Sequence, residues 1–385
     1  MLAFRQCVLF CLLVPILVLP AMAATRYVWT NSPAPAAPYT NWITAARTIQ
    51  DAVNVAVDGD TVLVTNGVYD KGVTFYGGSD ANRVCITKPI TVGSVNGPQV
   101  TIIKGAPGSN GSNDADAVRG VFMANGRELV GFTVTNGYTS TNFFILGGGV
   151  NLSINCLVSN CVLSGNKAFM WGGGGAYLRH GGVLNNCIVW CNIGNYINDI
   201  DNEDGTNRYT CASDGVANGV NGCITNNPMF TDAASSNFHL QAGSPCINAG
   251  ANAYAPINDT PDDMAGNPRI MDYIVDMGAY EYYTFALAST GTMVSGSGGA
   301  NSLSVTATVG YVWSATSSNN WITITGGEGS GNGTAAYTVS PNTSGTDRQG
   351  TIVISDAIFA IIQRVLKSGP GGLVLLLLGD DEDIR

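Results

Sequence analysis

The feature of this sequence that most constrains its fold is an internal repeat of 26 residues. When residues 147–166 are aligned without gaps to residues 173–192, seven of the twenty positions are identical. They are three glycines, a leucine, two asparagines and a cysteine, namely Gly147, Gly148, Gly149, Leu152, Asn160, Cys161 and Asn166, which recur as Gly173, Gly174, Gly175, Leu178, Asn186, Cys187 and Asn192. A period in the twenties is typical of a solenoid, in which each coil buries its apolar face against its neighbours.

The stacking of coils predicts where the repeated asparagine and cysteine residues lie. Parallel strands from consecutive turns pair along the axis of a solenoid. We therefore expect Asn160 above Asn186 as a ladder of side-chain amides at a coil corner, with Cys161 above Cys187 inside. Structure alone explains both pairs, without any chemistry.

The composition agrees with a repetitive all-β chain. Glycine accounts for 49 of 385 residues, about 13% against a usual share of about 7%. Hydrophobic residues make up 45% and charged residues 11%, which argues against disorder. Helical spacing of apolar residues over 44–57 predicts one helix. Short β-branched runs follow it and predict strands, at 61–64, 84–86, 90–92, 100–103 and 130–134.

The first 23 residues predict an export signal. Arg5 precedes an apolar run over residues 8–19, and Ala21-Met22-Ala23 supplies a small-residue cleavage site. The run is shorter than the ~20 residues that span a membrane, and Pro15 and Pro20 interrupt it. We expect an exported mature chain without a transmembrane span, located outside the cell, at its surface or in the periplasm.

Charge and cysteine spacing exclude several partners and sites. The formal net charge is −10 from 17 basic and 27 acidic residues, and loss of the leader's one arginine gives 16 − 27 = −11. This charge repels nucleic acid and anionic lipid, and it repels polyuronates unless calcium bridges the two. Eight cysteines remain after the leader. An oxidising compartment permits disulfides among them, but their spacing lacks the paired Cys-x-x-Cys of a zinc site.

Several stretches resemble the right-handed parallel β-helix repeat proteins of the pectin-lyase-like superfamily. Residues 48–53, 59–64 and 67–69 resemble that family's capping helix and first coil. A later set resembles the closing region of choice-of-anchor type surface proteins, at 227–230, 238–250, 266–269 and 276–281. The resemblance implies a parallel β-helix with an N-terminal capping helix over residues 26–283. It implies activity only weakly, because such proteins include lyases, glycosidases and adhesins.

A second block of alternating strands follows a Gly/Ser stretch at 295–299. Two-residue alternation at 303–309, 321–324, 337–339 and 351–354 predicts a small β-sandwich. Its motifs resemble the BACON domain, a bacterial immunoglobulin-like module, at 313–314, 320–322, 327–331, 339–342 and 348–352. The resemblance implies a domain over 289–366 that binds carbohydrate or mucin. Residues 367–385 predict an irregular tail with an acidic end.

One cluster in the coils offers chemistry. A polysaccharide lyase needs a basic group to abstract a sugar proton, and Arg179 and His180 are the candidates. The sequence predicts no cofactor, with calcium as the alternative, held by carboxylates on the following insertion, namely Asp199, Asp201, Glu203 and Asp204. The run departs from a calcium loop because its glycine falls one place late and Thr210 stands at position 12. The alternative is a solvent-exposed face beside a solvated acidic loop.

The sequence lacks the residues that other kinds of catalytic site would need. A glycosidase needs paired carboxylates, and the coils from 118 to 192 contain only Glu128. The resemblance places Asp276 and Glu281 in a structural cap. For carbohydrate stacking, the candidates are Trp171 and Trp190, which lie at coil edges near the acidic insertion.

The sequence thus predicts a monomeric, exported glycan-binding or adhesive β-helix protein without a demonstrable catalytic motif. Its partner would be a polysaccharide or a glycoprotein glycan, since the flank of a solenoid suits long polymers. One alternative is a calcium-assisted polysaccharide lyase or glycoside hydrolase acting on the flank near residues 179–204. Another is a structural stalk at the cell surface.

Overall fold

A computed structural model describes residues 23–76, 80–95, 100–125, 128–141, 146–169, 172–255, 270–355 and 357–366. Apart from Ala23, the predicted leader lies outside these ranges, as do the tail 367–385 and Trp171. Strands dominate the described residues, and they fall into a solenoid followed by a sandwich.

Three stacked sheets form the solenoid. Sheet A contains β1 (Thr25–Val28), β2 (Thr61–Val64), β6 (Thr91–Ser94), β9 (Glu128–Val130), β12 (Leu157–Ser159), β15 (Val183–Asn185) and β18 (Thr206–Arg208). Sheet B contains β3 (Gly67–Tyr69), β7 (Thr101–Lys104), β10 (Thr133–Thr135), β13 (Val162–Ser164), β16 (Ile188–Trp190) and β19 (Cys211–Ala212). Sheet C contains β4 (Thr74–Tyr76), β5 (Asp80–Ile86), β8 (Arg119–Met123), β11 (Val150–Leu152), β14 (Ala176–Leu178) and β17 (Ile200–Asn202).

The strand order confirms the predicted parallel β-helix. From β11 onward the chain visits sheets C, A and B in turn, and equivalent strands of successive coils pair in parallel. Only β4 and β5 pair antiparallel in these three sheets. Each coil sends aliphatic side chains inward, and on sheet A five of them form one fully buried stack, namely Val62, Val92, Leu129, Val158 and Leu184.

The predicted asparagine ladder stands at the corner between sheets A and B. Asn160 and Asn186 adopt left-handed backbone with φ of 49° and 48°, and the Asn186 Nδ2 donates to the Asn160 Oδ1 across 3.4 Å. Asparagine tolerates this conformation better than other residues with a Cβ. Cys161 and Cys187 are fully buried inside the coils, as the repeat predicted.

The single predicted α-helix is present but shorter than 44–57. It spans α1 (Ile49–Val55), and Thr48 caps it by accepting a hydrogen bond from the Asp51 amide at 3.2 Å. The chain before the cap is not helical, because residues 43–44 form a turn and Ala46 bridges to Val28 of β1. The helix buries its apolar face against the first coils, through Ile49, Ala52 and Val53.

The closing region, described over residues 213–255 and 270–282, covers the outer face of sheet B at its last three strands, and the predicted motif at 266–269 lies outside the described residues. It contains β20 (Phe230–Asp232), β21 (Asn237–Leu240) and short 3-10 turns at Val220–Gly222, Ala233–Ser235 and Asn252–Tyr254. Outward residues of sheet B, Val162, Ile188 and Cys211, pack against residues of this region that include Phe238 and Tyr280. The eight described cysteines are all free thiols, and only Cys191 among them is exposed.

A two-sheet domain follows, as predicted. One sheet orders β22 (Phe285–Leu287), β24 (Gly299–Ala307), β28 (Gly333–Val339) and β26 (Ile322–Gly326). The other orders β23 (Gly291–Val294), β30 (Ala357–Gln363), β29 (Arg348–Ile354), β25 (Val312–Thr316) and β27 (Glu328–Ser330). Trp313, Tyr337 and Phe359 fill the space between them. Within the described ranges, no helix is long and apolar enough to cross a membrane.

Candidate functional site

The predicted catalytic pair lies at the corner where sheet C turns into sheet A. Arg179 directly follows β14, and its backbone amide donates to the Leu152 carbonyl of the preceding coil at 3.1 Å. Its side chain is half-buried, and the Nε atom has no hydrogen-bond partner among the described residues. His180 is exposed and takes left-handed backbone with φ of 51°.

Three of the predicted acidic residues lie on the next coil, close to this pair. Asp201 of β17 is the register partner of Tyr177 in β14. The Tyr177 hydroxyl donates to the carboxylate of Glu203. The His180 backbone amide donates to Asp204, whose other carboxylate oxygen lies 3.7 Å from the His180 Nδ1. We call these five residues together with Arg179 the polar corner.

The polar corner holds its titratable groups in unequal environments. Burial, together with the nearby negative charge of Glu203, raises the pKa of Asp201 above its ordinary value. Burial, followed by the hydrogen bond to Glu203, raises the pKa of Tyr177. Tyr177 is therefore a neutral hydrogen-bond donor at neutral pH and is unsuited to act as a base. These surroundings favour the protonated form of the Asp201 carboxyl group.

Asp199 is separate from the polar corner. Its carboxylate is fully buried and accepts hydrogen bonds from Asn192 Nδ2 at 2.9 Å, Ser213 N at 2.8 Å and Ser213 Oγ at 2.5 Å. Burial raises its pKa despite these donors. Asp199 thus holds the loop between sheets B and C from inside.

The four predicted calcium ligands do not gather around one point. Asp199 is engaged inside the loop, Glu203 accepts from Tyr177, and Asp204 faces His180. In the described part of the chain, no group of three or more His, Cys, Asp or Glu side chains is placed to hold a metal ion. The residues present therefore do not fit a calcium site at this flank.

Of the two predicted stacking tryptophans, only Trp190 lies within the described residues. It ends β16 on sheet B, away from the polar corner, and its half-buried indole packs against the apolar cluster of the closing region. The structure therefore gives this side chain packing partners on the protein itself.

The carboxylates and the histidine of the closing region have structural surroundings. Both oxygens of Glu281 accept from the Asp276 amide at 3.2 Å, and Asp276 accepts from the backbone amides of Asn248 and Tyr282 at 2.7 and 2.5 Å. His239 packs its ring 4.4 Å from that of Tyr280, and burial lowers its pKa.

A groove that sequence reasoning missed lies on the outer face of sheet A, beside the same corner. We call it the sheet A groove, and its lining comprises Asn155, Cys156, Leu157, Gly181, Val183, Asn185 and Arg208. Ser159, Asn185 and Arg208 occupy one outward position in three successive coils. The sequence feature that indicates this groove is the 26-residue repeat, because its alignment places Ser159 opposite Asn185.

Comparison with known proteins identifies the C-terminal domain. Residues 311–364 match the BACON family, described as "Putative binding domain, N-terminal", which confirms the predicted resemblance. A search of the curated proteins found no match.

Two solved structures are similar to parts of the chain. A Bacteroides ovatus GH5 xyloglucanase in complex with a XXXG heptasaccharide is 18% identical over 22% of this chain and 19% of its own, with a TM-score of 0.20. The pectate lyase Pel9A is 12% identical over 68% of this chain and 97% of its own, with a TM-score of 0.27. The chain therefore spans about a fifth of the xyloglucanase that it matches.

Proposed function

We propose that this protein is an exported glycan-binding module, which holds a carbohydrate chain along the flank of its β-helix. The observation that carries the proposal is the polar corner, where the exposed side chains of His180, Glu203 and Asp204 lie on two consecutive coils of one flank. Neighbouring coils repeat about every 4.8 Å. A linear polymer that lies parallel to the axis would meet the polar groups of both coils.

Two further observations support binding over turnover. The C-terminal sandwich matches a family described as a binding domain. At the polar corner, the described carboxylates do not fit a calcium site. Export rests on the predicted leader at residues 1–23.

A glycan array probed with the mature chain tests the proposal. We expect binding to at least one polysaccharide, without release of reducing ends or unsaturated sugars over hours of incubation. The double variant His180→Ala/Asp204→Ala, which removes the exposed pair, should bind that polysaccharide more weakly. The control Asp347→Ala on the sandwich surface should bind it as the wild type does. Failure of the mature chain to bind any glycan would favour the structural stalk instead.

A second candidate is a polysaccharide lyase or hydrolase at the same corner. Asp201, with its raised pKa, and Arg179, with its buried and unpaired Nε, are the observations that favour it. Product release that is lost in Arg179→Ala and in Asp201→Asn would establish this candidate. The two variants are chosen because neither residue forms an ion pair that the substitution would break.

A further inference from the structure

We propose that the sheet A groove is a subsite for one neutral pyranose residue of the bound glycan. The inference rests on the proposed glycan-binding function. It adds a contact on the outer face of sheet A, next to the polar corner. Gly181, which follows His180, lines the groove, so the two sites are continuous on the surface.

The buried amide of Asn185 is the main evidence for a ligand. The residue is only 4% exposed, yet its Oδ1 atom has no hydrogen-bond partner among the described residues. A buried acceptor without a donor costs free energy in the isolated protein. A hydroxyl group in the groove would supply the missing donor.

Arg208 stands next to this acceptor on the following coil. It is the direct register partner of Asn185, and its guanidinium carries only donors. Ser159, the partner of Asn185 on the other side, is already engaged, because its hydroxyl donates to Glu128 Oε1 at 2.5 Å. Asn185 and Arg208 therefore offer an acceptor and a group of donors side by side, which matches adjacent hydroxyl and ring oxygens of a sugar.

The rest of the lining suits the apolar face of a pyranose. Leu157 and Val183 are register partners on the outer face of sheet A, and both side chains are half-buried. Gly181 adds no side chain above them and has a φ of 82°. Mostly apolar walls with a few fixed polar groups are typical of small-ligand sites.

Charge selects a neutral sugar over a uronate. Arg208 alone would favour a carboxylate through paired hydrogen bonds. The chain as a whole carries a formal net charge of −10, and Glu128 lies on the same face of sheet A. A polymer of uronates would meet that field along its whole length, whereas a neutral polymer would not.

Titration calorimetry with the mature chain tests the subsite, with cellohexaose, xylohexaose, mannohexaose and hexagalacturonate as probes. We expect a neutral hexasaccharide to bind more tightly than hexagalacturonate. Asn185→Leu and Arg208→Met should each weaken that binding at least tenfold. The matched controls Asn301→Leu and Arg364→Met, both on the sandwich, should leave it within twofold of the wild type.

Stability separates a binding role of Asn185 from a structural one. Asn185→Leu removes a buried acceptor that has no partner, so its melting temperature should equal or exceed that of the wild type. A lower melting temperature together with unchanged affinity would overturn the subsite.

The subsite and the proposed function fail differently. If the wild type binds a glycan but Asn185→Leu and Arg208→Met bind it equally well, the subsite is wrong and glycan binding stands. If hexagalacturonate binds best, the neutral assignment is wrong. If the wild type binds no glycan, the proposed function itself is wrong, and the subsite with it.

Discussion

The side-chain amide of Asn192 donates to the carboxylate of Asp199 across 2.9 Å, at the end of a buried ladder that also includes Asn166. The Asn166 Nδ2 donates to the Asn192 Oδ1 at 3.0 Å one coil earlier. Asp199 in turn accepts both the amide and the hydroxyl of Ser213. A carboxylate that resembled a calcium ligand thus joins three consecutive segments of the solenoid.

Asp199→Asn should therefore destabilise the β-helix. The new amide would turn an NH2 group toward donors of Asn192 or Ser213, so we expect a loss of about 1–3 kcal/mol in the free energy of unfolding at neutral pH. Urea denaturation measures this loss. Asp347→Asn, which alters an exposed ion pair with Arg364, should cost less than about 0.5 kcal/mol. Equal costs for the two variants would contradict the ladder's role.

The same residue predicts a pH dependence. Burial raises the folded-state pKa of Asp199 above the unfolded value of 3.8, so the native state binds this proton more tightly than the unfolded state does. Its contribution to stability is complete below the unfolded pKa and is lost as pH rises through the folded pKa. Asp199→Asn should lack this decline. Urea midpoints of both proteins from about pH 4 upward measure the difference, and parallel curves would refute it.

Asn186 should anchor the closing region to the coils. Its Nδ2 donates to the Ala251 carbonyl at 3.0 Å, and its Oδ1 accepts from the Ala251 amide at 2.9 Å. Asn186→Gly keeps the left-handed backbone but loses both of these bonds and the one to Asn160, at a cost of about 1–3 kcal/mol. Asn186→Ala should cost roughly 1 kcal/mol more, because alanine is strained at positive φ.

Hydrogen exchange at the Ala251 amide reports the release of this segment and should accelerate in both variants. Asn125→Gly is the matched control, since Asn125 is exposed and also has a positive φ of 55°. Slow exchange at Ala251 in Asn186→Gly would show that other contacts hold the segment.

The free thiols predict a single reactive cysteine in the folded mature chain. Cys191 is exposed, whereas the other seven are buried, and burial raises the pKa of Cys85 to about 11. Burial and, to a smaller extent, the charge of Asp199 also raise the pKa of Cys191. Alkylation requires the thiolate, so the rate at Cys191 should rise about tenfold per pH unit until its pKa is reached.

Peptide mapping after iodoacetamide treatment measures these rates. Asp199→Asn should speed the reaction of Cys191 at a given pH, because it removes the neighbouring negative charge. Alkylation of Cys85 should require denaturant. Equal labelling of several cysteines in the native protein, or oxidation of any pair to a disulfide, would contradict the free-thiol arrangement.

The repeat predicted those parts of the fold that depend on local properties. Asn160 and Asn186 were assigned to a corner because asparagine suits left-handed backbone and recurs at the coil period. The structural role of Asp199 could not be predicted in the same way. Its partners Asn192 and Ser213 come next to it only when the coils are stacked, and the repeat alignment does not show that contact. Because Asp201 and Asp204 follow it closely in the sequence, Asp199 is predicted as a calcium ligand.

The sheet A groove could not be predicted from the sequence for a related reason. From Asn185 to Arg208 the coil contains 208 − 185 = 23 residues rather than 26, so the repeat alignment does not bring the two together. Their pairing depends on where the coil is shortened: compared with the preceding coil, the chain loses two residues between the starts of β16 and β17 and one between the starts of β17 and β18. A pattern with fixed period cannot contain that information.

Trp313 explains why glycine is required in the sandwich motif 327–331. The indole is 1% exposed, its Nε1 donates to the Gly331 carbonyl at 2.9 Å, and Gly329 is its register partner on β27. A Cβ at Gly329 would lie 2.2 Å from the Cζ2 atom of Trp313. Gly329→Ala should therefore force the ring out of its packed position and cost roughly 1–3 kcal/mol.

Ser330→Ala in the same strand is the control, because this exposed side chain should contribute less than about 0.5 kcal/mol. Near-ultraviolet circular dichroism follows the tryptophan environment during urea unfolding. Combining Gly329→Ala with Trp313→Phe should cost less than the sum of the two single changes, since the smaller ring leaves room for the methyl group. Strict additivity would mean that the glycine serves the backbone of β27 rather than the packing of Trp313.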